Sequence, residues 1–294
     1  MKRYFDYHKL SNLSAYWELT KPRINLMVLV TFSLGFFVGG RGIHSLSLFV
    51  WSIFGTALSV AGSAVLNNYL ERDVDCLMSR TQERPIPTGV IDPISALSYG
   101  FVLLLLWQFI LITTAGLLTA FLALLSAFLY VVVYTPMKRL SWINTSLGAV
   151  PGAMPPLGGW TAATGEIELG AWVFFMILFA WQHPHFFAIA WIFRDDYKRG
   201  GFKMLPVEDK EGKRTCRQII YFSILLLISS LLPTFIGVTG KIYLVGALIL
   251  GSLLLGSAVY LIQTCSDYRA RKLLRATILY LPLLFILCLI DSNF

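Results

Sequence analysis

Three polar side chains spaced four residues apart close a long apolar stretch of the sequence: Asn67, Glu71 and Asp75. On a continuous helix, positions i, i+4 and i+8 share one face. Two carboxylates on one face repel each other, and lost hydration adds to the cost, so a bound cation is expected. Oxygen ligands favour Mg²⁺ or Ca²⁺, and Mg²⁺ usually completes its shell with water and substrate phosphates. The spacing predicts a Mg²⁺ site that carries a phosphate ligand. The alternative is a solvated helix end whose acids are neutralised by Arg72, Arg80 and Arg84.

A second acidic helix end is predicted at Asp195 and Asp196, after the sixth apolar stretch. If both ends face one pocket, they can hold a metal-bridged diphosphate between them. Basic side chains close to the two ends are candidate phosphate contacts; they are Arg80, Arg84, Lys138, Arg139, Arg194 and Lys198. The alternative for Asp195 and Asp196 is local pairing with neighbouring bases.

Two histidines, His183 and His185, lie about ten residues before this second end, hence about 15 Å deeper along a helix. Polar groups at such depth are candidates for a functional site. Pro184 between them is expected to kink the helix, and the alternative is a polar patch that only satisfies this break. His185 and Asp196 are expected on nearly the same face. The segment 148–159, rich in glycine and proline, is expected to be a disturbed helix.

The elements that carry these residues are predicted to be membrane spans. Hydrophobic residues make up 56% of the 294 residues and charged residues only 14%, against about 25% charged residues in soluble domains. A mean hydropathy of +0.69 excludes a soluble fold. We predict an all-α polytopic membrane protein around a central cavity, in which spans 1–4 and 5–8 form parallel four-helix repeats. The nine spans are 24–40, 47–70, 93–113, 117–136, 142–164, 169–193, 217–239, 242–264 and 273–290.

The basic residues predict the orientation of the spans. All of the 24 lysines and arginines except Arg41 and Lys241 fall on one side, which the positive-inside rule assigns to the cytoplasm. Residues 1–23 would form a cytoplasmic amino-terminal segment, residues 24–290 a single transmembrane domain, and the carboxyl terminus would lie outside. The net charge of +8 is thus a topology signal with membrane lipid as its partner, and nucleic acid binding is not expected. The four cysteines are expected to be packing residues without a disulfide framework.

The sequence resembles the UbiA-type intramembrane prenyltransferases over nearly its whole length. The resemblance is carried in order by Thr20–Arg23, Asn67–Asp75, Arg80–Thr81 with Arg84–Pro85, Tyr134–Pro136 with Lys138–Arg139, Pro155–Trp160, Trp181–Phe186, and Asp195–Tyr197 with Met204–Val207. Glu71 stands where Asp is usual in the wider family, and no carboxylate follows Asp195 or Asp196 by four residues.

This resemblance implies that a farnesyl group passes from farnesyl diphosphate to a vinyl group of haem B, with addition of water, to give haem O. Asn67, Glu71 and Asp75 would hold Mg²⁺, with Asp195 and Asp196 completing the second acidic site. The cations Arg80, Arg84, Lys138, Arg139 and Lys198 would neutralise the leaving diphosphate. His183 or His185 would contact the haem, and haem A synthase or terminal oxidase assembly proteins are the partners implied.

Three alternatives remain open at this point. An aromatic prenyltransferase of quinone biosynthesis would share the acidic sites but not the Trp181–Phe186 segment. A non-catalytic haem carrier or oxidase assembly factor would need the histidines but not the acidic face. A transporter would concentrate ionisable groups near the bilayer midplane, rather than at span ends.

Overall fold

The computed structural model describes residues 12–293, and this part of the chain is helical except for turns and one antiparallel bridge between Thr239 and Ser292. Its helices, in chain order, are α1 Asn12–Leu19, α2 Pro22–Gly39, α3 Leu46–Asp75, α4 Pro93–Thr114, α5 Leu117–Met137, α6 Asn144–Thr164, α7 Leu169–Ile192, α8 Arg194–Arg199, α9 Leu205–Glu208, α10 Lys213–Phe235, α11 Lys241–Gln263 and α12 Asp267–Ile290.

Eight of the described helices are long and apolar enough to cross a membrane: α2, α3, α4, α5, α7, α10, α11 and α12. The remaining predicted span, the fifth, corresponds to α6, which has 21 residues but is made less apolar by its glycines, prolines and threonines. The prediction of an all-α polytopic membrane protein is confirmed. The lysines and arginines of residues 1–11, which contribute to the predicted orientation, lie outside the described residues.

The predicted disturbance of the fifth span is wrong, because α6 runs unbroken through Pro151, Pro155 and Pro156. Pro155 has no backbone N–H, so the carbonyl of Pro151, four residues earlier, lacks its helical donor. The Ser126 hydroxyl of α5 donates to this carbonyl oxygen at 3.2 Å. A neighbouring helix thus supplies a hydrogen bond that the proline removes.

Helices α2 and α6 pack with their backbones in contact. A Cβ atom on Gly159 would lie 2.0 Å from the carbonyl oxygen of Phe32, and one on Gly35 would lie 2.0 Å from that of Pro156. Small residues at a crossing allow such close approach inside a membrane. The glycines of both helices therefore fix the position of α2, which begins immediately after Lys21.

Helix α7 is the most buried span and extends past Pro184 to Ile192 without interruption. Phe193 then leaves the helical conformation, and α8 begins at Arg194. Phe193 therefore separates α7 from α8, so His185 and Asp196 do not lie on one continuous helix.

The cysteine prediction is wrong for one pair. Cys216, in the first turn of α10, and Cys265, in the loop before α12, are joined as a disulfide. The fold brings these two segments together across 49 residues, which sequence spacing does not reveal. Cys76 and Cys288 are free, as predicted.

Candidate active site

The last turns of α3 carry the predicted triad on one buried face. Asn67, Glu71 and Asp75 are 1%, 7% and 0% exposed. Because α3 is continuous from Leu46 to Asp75, the spacing of four residues brings the three side chains into one row. The predicted juxtaposition is confirmed.

Each member of the row has a cation from a different segment as its partner. Lys21 donates from Nζ to Asn67 Oδ1 at 2.7 Å, and Lys138 Nζ lies 2.6 Å from Glu71 Oε1. Arg84 Nη1 lies 2.7 Å from Asp75 Oδ2. We call these residues, Lys21, Asn67, Glu71, Asp75, Arg84 and Lys138, the acidic cluster with its cations.

Local backbone irregularities place two of these cations. Lys21 has a φ of 49°, a left-handed conformation that is costly for a side chain other than glycine. Lys138 follows the π-helical segment Leu129–Tyr134 of α5, a feature often found at functional sites. Thr135 directly follows this segment, and its hydroxyl accepts from Asn67 Nδ2 at 3.0 Å.

The two lysines differ in electrostatic environment. Desolvation, aided by the charge of Arg84, lowers the pKa of Lys21 to about 7. Desolvation also opposes the charged form of Lys138, but the nearby tyrosine Tyr134 and the Glu71 carboxylate outweigh it and raise the pKa of Lys138 above its ordinary value. Lys138 is thus the firmly charged lysine of the cluster.

The second acidic end lies directly against the first. Asp196 Oδ1 accepts from the Ser79 backbone N–H at 3.1 Å and from its hydroxyl at 2.9 Å, and Arg199 pairs with the same oxygen. Burial opposes ionisation, but these hydrogen bonds and the Arg199 charge lower the pKa of Asp196. Behind these contacts, side chains from both ends form one apolar cluster: Val74, Met78, Ala190, Phe202 and Met204. The prediction that the two ends meet is confirmed.

The loop after α8 connects the second end to the acidic cluster through contacts with Lys138. Lys203 donates its backbone N–H to the Lys138 carbonyl at 2.8 Å, and Lys138 Nζ lies 5.8 Å from the centre of the Phe202 ring. Arg80 donates to the Tyr197 hydroxyl at 3.1 Å and lies over the rings of Phe193 and Tyr197. Arg80 is therefore held between the two ends.

The remaining predicted residues are less engaged. The side chains of Asp195, Lys198 and Arg139 are exposed near the two ends. Arg194 turns to α12, where its Nη1 lies 2.7 Å from Asp267 Oδ1. The structure therefore does not bring Arg194 to the cluster.

The donor set of the cluster fits a hard divalent ion. Within residues 12–293 no group of three His, Cys, Asp or Glu side chains is suited to a metal. The candidate site combines the two carboxylates, Glu71 and Asp75, with the Asn67 amide oxygen. Asp75 Oδ1 is buried and has no hydrogen-bond partner. A buried carboxylate oxygen without a partner is costly, and a divalent cation that took this oxygen as a ligand would remove that cost.

The two histidines of α7 point in different directions. His183 is fully buried, lies 3.0 Å from the Ser146 hydroxyl and stacks on Phe222. His185 is partly exposed, stacks on Trp181 and contacts Thr277 of α12.

Sequence reasoning omits Lys21, Ser79, Thr135 and Arg199 from the site. Lys21 and Thr135 lie in two of the short segments that carry the family resemblance, so those segments hold a usable signal. Arg199 is one of the neighbouring bases in the local-pairing alternative for Asp196, and the structure shows that pair. Ser79 has no such signal in the sequence.

Comparison with known proteins places this geometry in context. Residues 28–287 match the model of the UbiA prenyltransferase family. The protoheme IX farnesyltransferase of Solibacter usitatus is 42% identical over 286 residues, which cover 94% of this chain and 98% of that relative.

Solved structures share the fold. A structure of digeranylgeranylglyceryl phosphate synthase has a TM-score of 0.82 at 17% identity and covers 96% of this chain and 99% of its own. A UbiA homolog from Archaeoglobus fulgidus, bound to GPP and Mg²⁺, has a TM-score of 0.65 at 17% identity, with 93% and 99% coverage.

Proposed function

The chain belongs to the UbiA prenyltransferase family, and from this premise we propose that the acidic cluster with its cations is its Mg²⁺-dependent diphosphate site. The enzyme transfers a farnesyl group from farnesyl diphosphate to a vinyl group of haem B, with addition of water, to form haem O. The assignment of the site rests on the buried carboxylate of Asp75. One of its oxygens pairs with Arg84, and the other has no hydrogen-bond partner.

In this proposal Asn67, Glu71 and Asp75 hold Mg²⁺, and Asp195 and Asp196 are the candidates on the second end. When bound, the ion neutralises the diphosphate and polarises the bond to the farnesyl carbon. Carboxylate and amide oxygens are suitable ligands for this hard ion.

The cations of the pocket stabilise the departing diphosphate. Lys138 and Arg84 are already held in place by Glu71 and Asp75, so they need little reorganisation as charge develops on the leaving oxygen. Arg80, which donates to the Tyr197 hydroxyl, is the candidate phosphate contact between the two ends. Arg139 and Lys198 are exposed at its rim. Arg194 is the weakest of the predicted phosphate contacts, since it pairs with Asp267.

The chemistry requires a dry site. The bond between the farnesyl carbon and the diphosphate oxygen breaks, a vinyl carbon of haem attacks the allylic cation, and water then adds to the resulting cation and loses a proton. The rings of Tyr130 and Tyr134, with centres 5.7 Å apart, lie beside the cluster. Their faces stabilise an allylic cation, and their apolar bulk keeps water away from it. One of the two histidines of α7, His183 or His185, is the predicted haem contact.

We place the acidic cluster on the cytoplasmic side, because nearly all lysines and arginines lie at that end of the spans. Haem A synthase or terminal oxidase assembly proteins would accept the product, haem O, as the family resemblance implies.

The experiment combines purified protein, reduced haem B, farnesyl diphosphate and Mg²⁺ in detergent, followed by mass spectrometry of the haem. The product should gain one farnesyl group and one water. Chelation of Mg²⁺ should abolish the gain, and added Mg²⁺ should restore it. Haem that binds without any mass gain would support a carrier instead, and prenylation of a quinone precursor in place of haem would support the other family activity.

A further inference from the structure

The hydrogen bonds of the two histidines in α7 distinguish their roles. His183 Nδ1 lies 2.8 Å from the Phe179 carbonyl oxygen, which can only accept, so Nδ1 carries the proton. His183 Nε2 then accepts from the Ser146 hydroxyl at 3.0 Å. Both ring nitrogens are used, and the ring is 0% exposed and stacked on Phe222. His183 is a packing residue that joins α7 to α6 and α10.

His185 has one nitrogen committed and one available. Its Nδ1 lies 2.9 Å from the Thr277 hydroxyl oxygen. That hydroxyl donates its single proton to the Leu274 carbonyl at 2.7 Å, so it accepts from His185. The tautomer therefore has Nδ1 protonated, and the Nε2 lone pair has no partner among the described residues.

The His185 ring is also held in a fixed orientation. It stacks on Trp181, with ring centres 4.7 Å apart and planes inclined by 21°. Trp181 is fixed in turn, because its Nε1 donates to the Thr277 carbonyl oxygen at 2.8 Å. A ring whose second N–H is bound to a neighbouring oxygen is the usual arrangement of a histidine that binds a metal.

An apolar strip continues along the chain from His185. Ile189 and Phe193 follow His185 at intervals of four residues, and all three are at least partly exposed. The strip covers about 12 Å along the helix and ends at Arg80, which lies over the Phe193 ring. An imidazole with one free nitrogen beside an exposed apolar strip matches a flat apolar macrocycle that carries a metal at its centre.

We propose that His185, through Nε2, is the axial ligand to the iron of the haem substrate, and that Thr277 is the positioning residue that sets its tautomer. His183 has no part in iron binding. This inference rests on the proposed function, since it assumes that haem B is the substrate. Imidazole is the commonest protein ligand of haem iron.

The test is ferric haem B titrated into the purified full chain, followed by optical absorption and electron paramagnetic resonance. The wild type should give the spectrum of imidazole-ligated haem. His185→Gly should lose that spectrum, and free imidazole added to His185→Gly should restore it. Thr277→Val should keep the spectrum but weaken haem binding by about 10-fold to 100-fold, the usual effect of removing the partner of a ligating histidine.

The other histidines provide matched controls. His44→Ala and His8→Ala should leave the spectrum unchanged, and His183→Gln should also retain the imidazole signature. Survival of the signature in His185→Gly without added imidazole, or its loss in His183→Gln with His185 intact, would overturn the assignment. Farnesyl transfer by the wild type is measured separately by mass, so a failed ligand assignment with normal transfer leaves the proposed function standing. Normal ligation without transfer would refute the function alone.

Discussion

Replacement of Asp75 by Asn tests the acidic cluster most directly. Asp75 is 0% exposed, with one carboxylate oxygen 2.7 Å from Arg84 and the other without a partner. Asn keeps the shape of the side chain but removes the charge that would hold Mg²⁺. We expect kcat/KM for farnesyl transfer to fall by about 100-fold to 1000-fold, equivalent to about 2.7–4 kcal/mol of transition-state stabilisation.

Asp73→Asn is the matched control, because Asp73 lies on the same helical turn with a side chain 80% exposed and only a 3.7 Å contact to Arg72. This substitution should change the barrier by no more than about 0.5 kcal/mol. Transfer is followed by mass spectrometry over a range of Mg²⁺ concentrations, and thermal unfolding in detergent checks that both variants fold. Asp75→Asn should also need more Mg²⁺ for half-maximal rate. Equal rates for the two variants, or a loss at Asp75 that is independent of Mg²⁺, would refute the reasoning.

Two further predictions concern stability. Lys138→Met leaves Glu71 buried without its partner and should destabilise the fold by about 3–5 kcal/mol. Lys138→Met combined with Glu71→Gln should recover part of this loss. Denaturant unfolding of both proteins measures the difference, and an additive loss of stability in the double variant would argue against the ion pair. Gly159→Ala should cost about 1–3 kcal/mol because its Cβ would meet the backbone of α2 at 2.0 Å. Its neighbour Gly158 would place a Cβ 3.7 Å from the Phe32 ring, so Gly158→Ala should be neutral or slightly stabilising, and equal melting temperatures would contradict the close crossing.

The membrane spans follow from the sequence because lipid requires long apolar helices whose backbone groups are satisfied internally. Predicted and observed bounds agree within one residue for α4 and α11, whereas α12 begins six residues before its predicted first residue. Helix α6 differs from the prediction in kind, because the local rules for proline predict a broken helix and the structure has a continuous one. The missing donor comes from Ser126 on another helix, 25 residues away, and no local rule includes such a contact.

The acidic cluster is predictable in part. The spacing of Asn67, Glu71 and Asp75 follows from the helical repeat, but their cationic partners depend on tertiary packing. Lys138 lies 67 residues from Glu71, and Ser79 lies 117 residues from Asp196. Many bases stand near each acid in the sequence, and the fold selects among them. Arg194 illustrates the limit, since it is adjacent to Asp195 but pairs with Asp267.

The two acidic ends are not equivalent, and their charges argue for one ion. Around α3, the negative charges of Glu71 and Asp75 are balanced by Arg84 and Lys138, and Lys21, whose pKa is about 7, leaves an excess of at most one positive charge. A diphosphate carries more negative charge than this excess can balance, and a single divalent ion supplies the remainder.

At the second end, Asp196 is already neutralised by Arg199 and satisfied by two hydrogen bonds from Ser79. It has little need of a metal. Its contacts instead fix the segment that begins at Ser79, from which Arg80 lies over the rings of Phe193 and Tyr197 between the two ends. The first end is therefore the stronger candidate to bind the ion, and the second acts by positioning a cation for the phosphate.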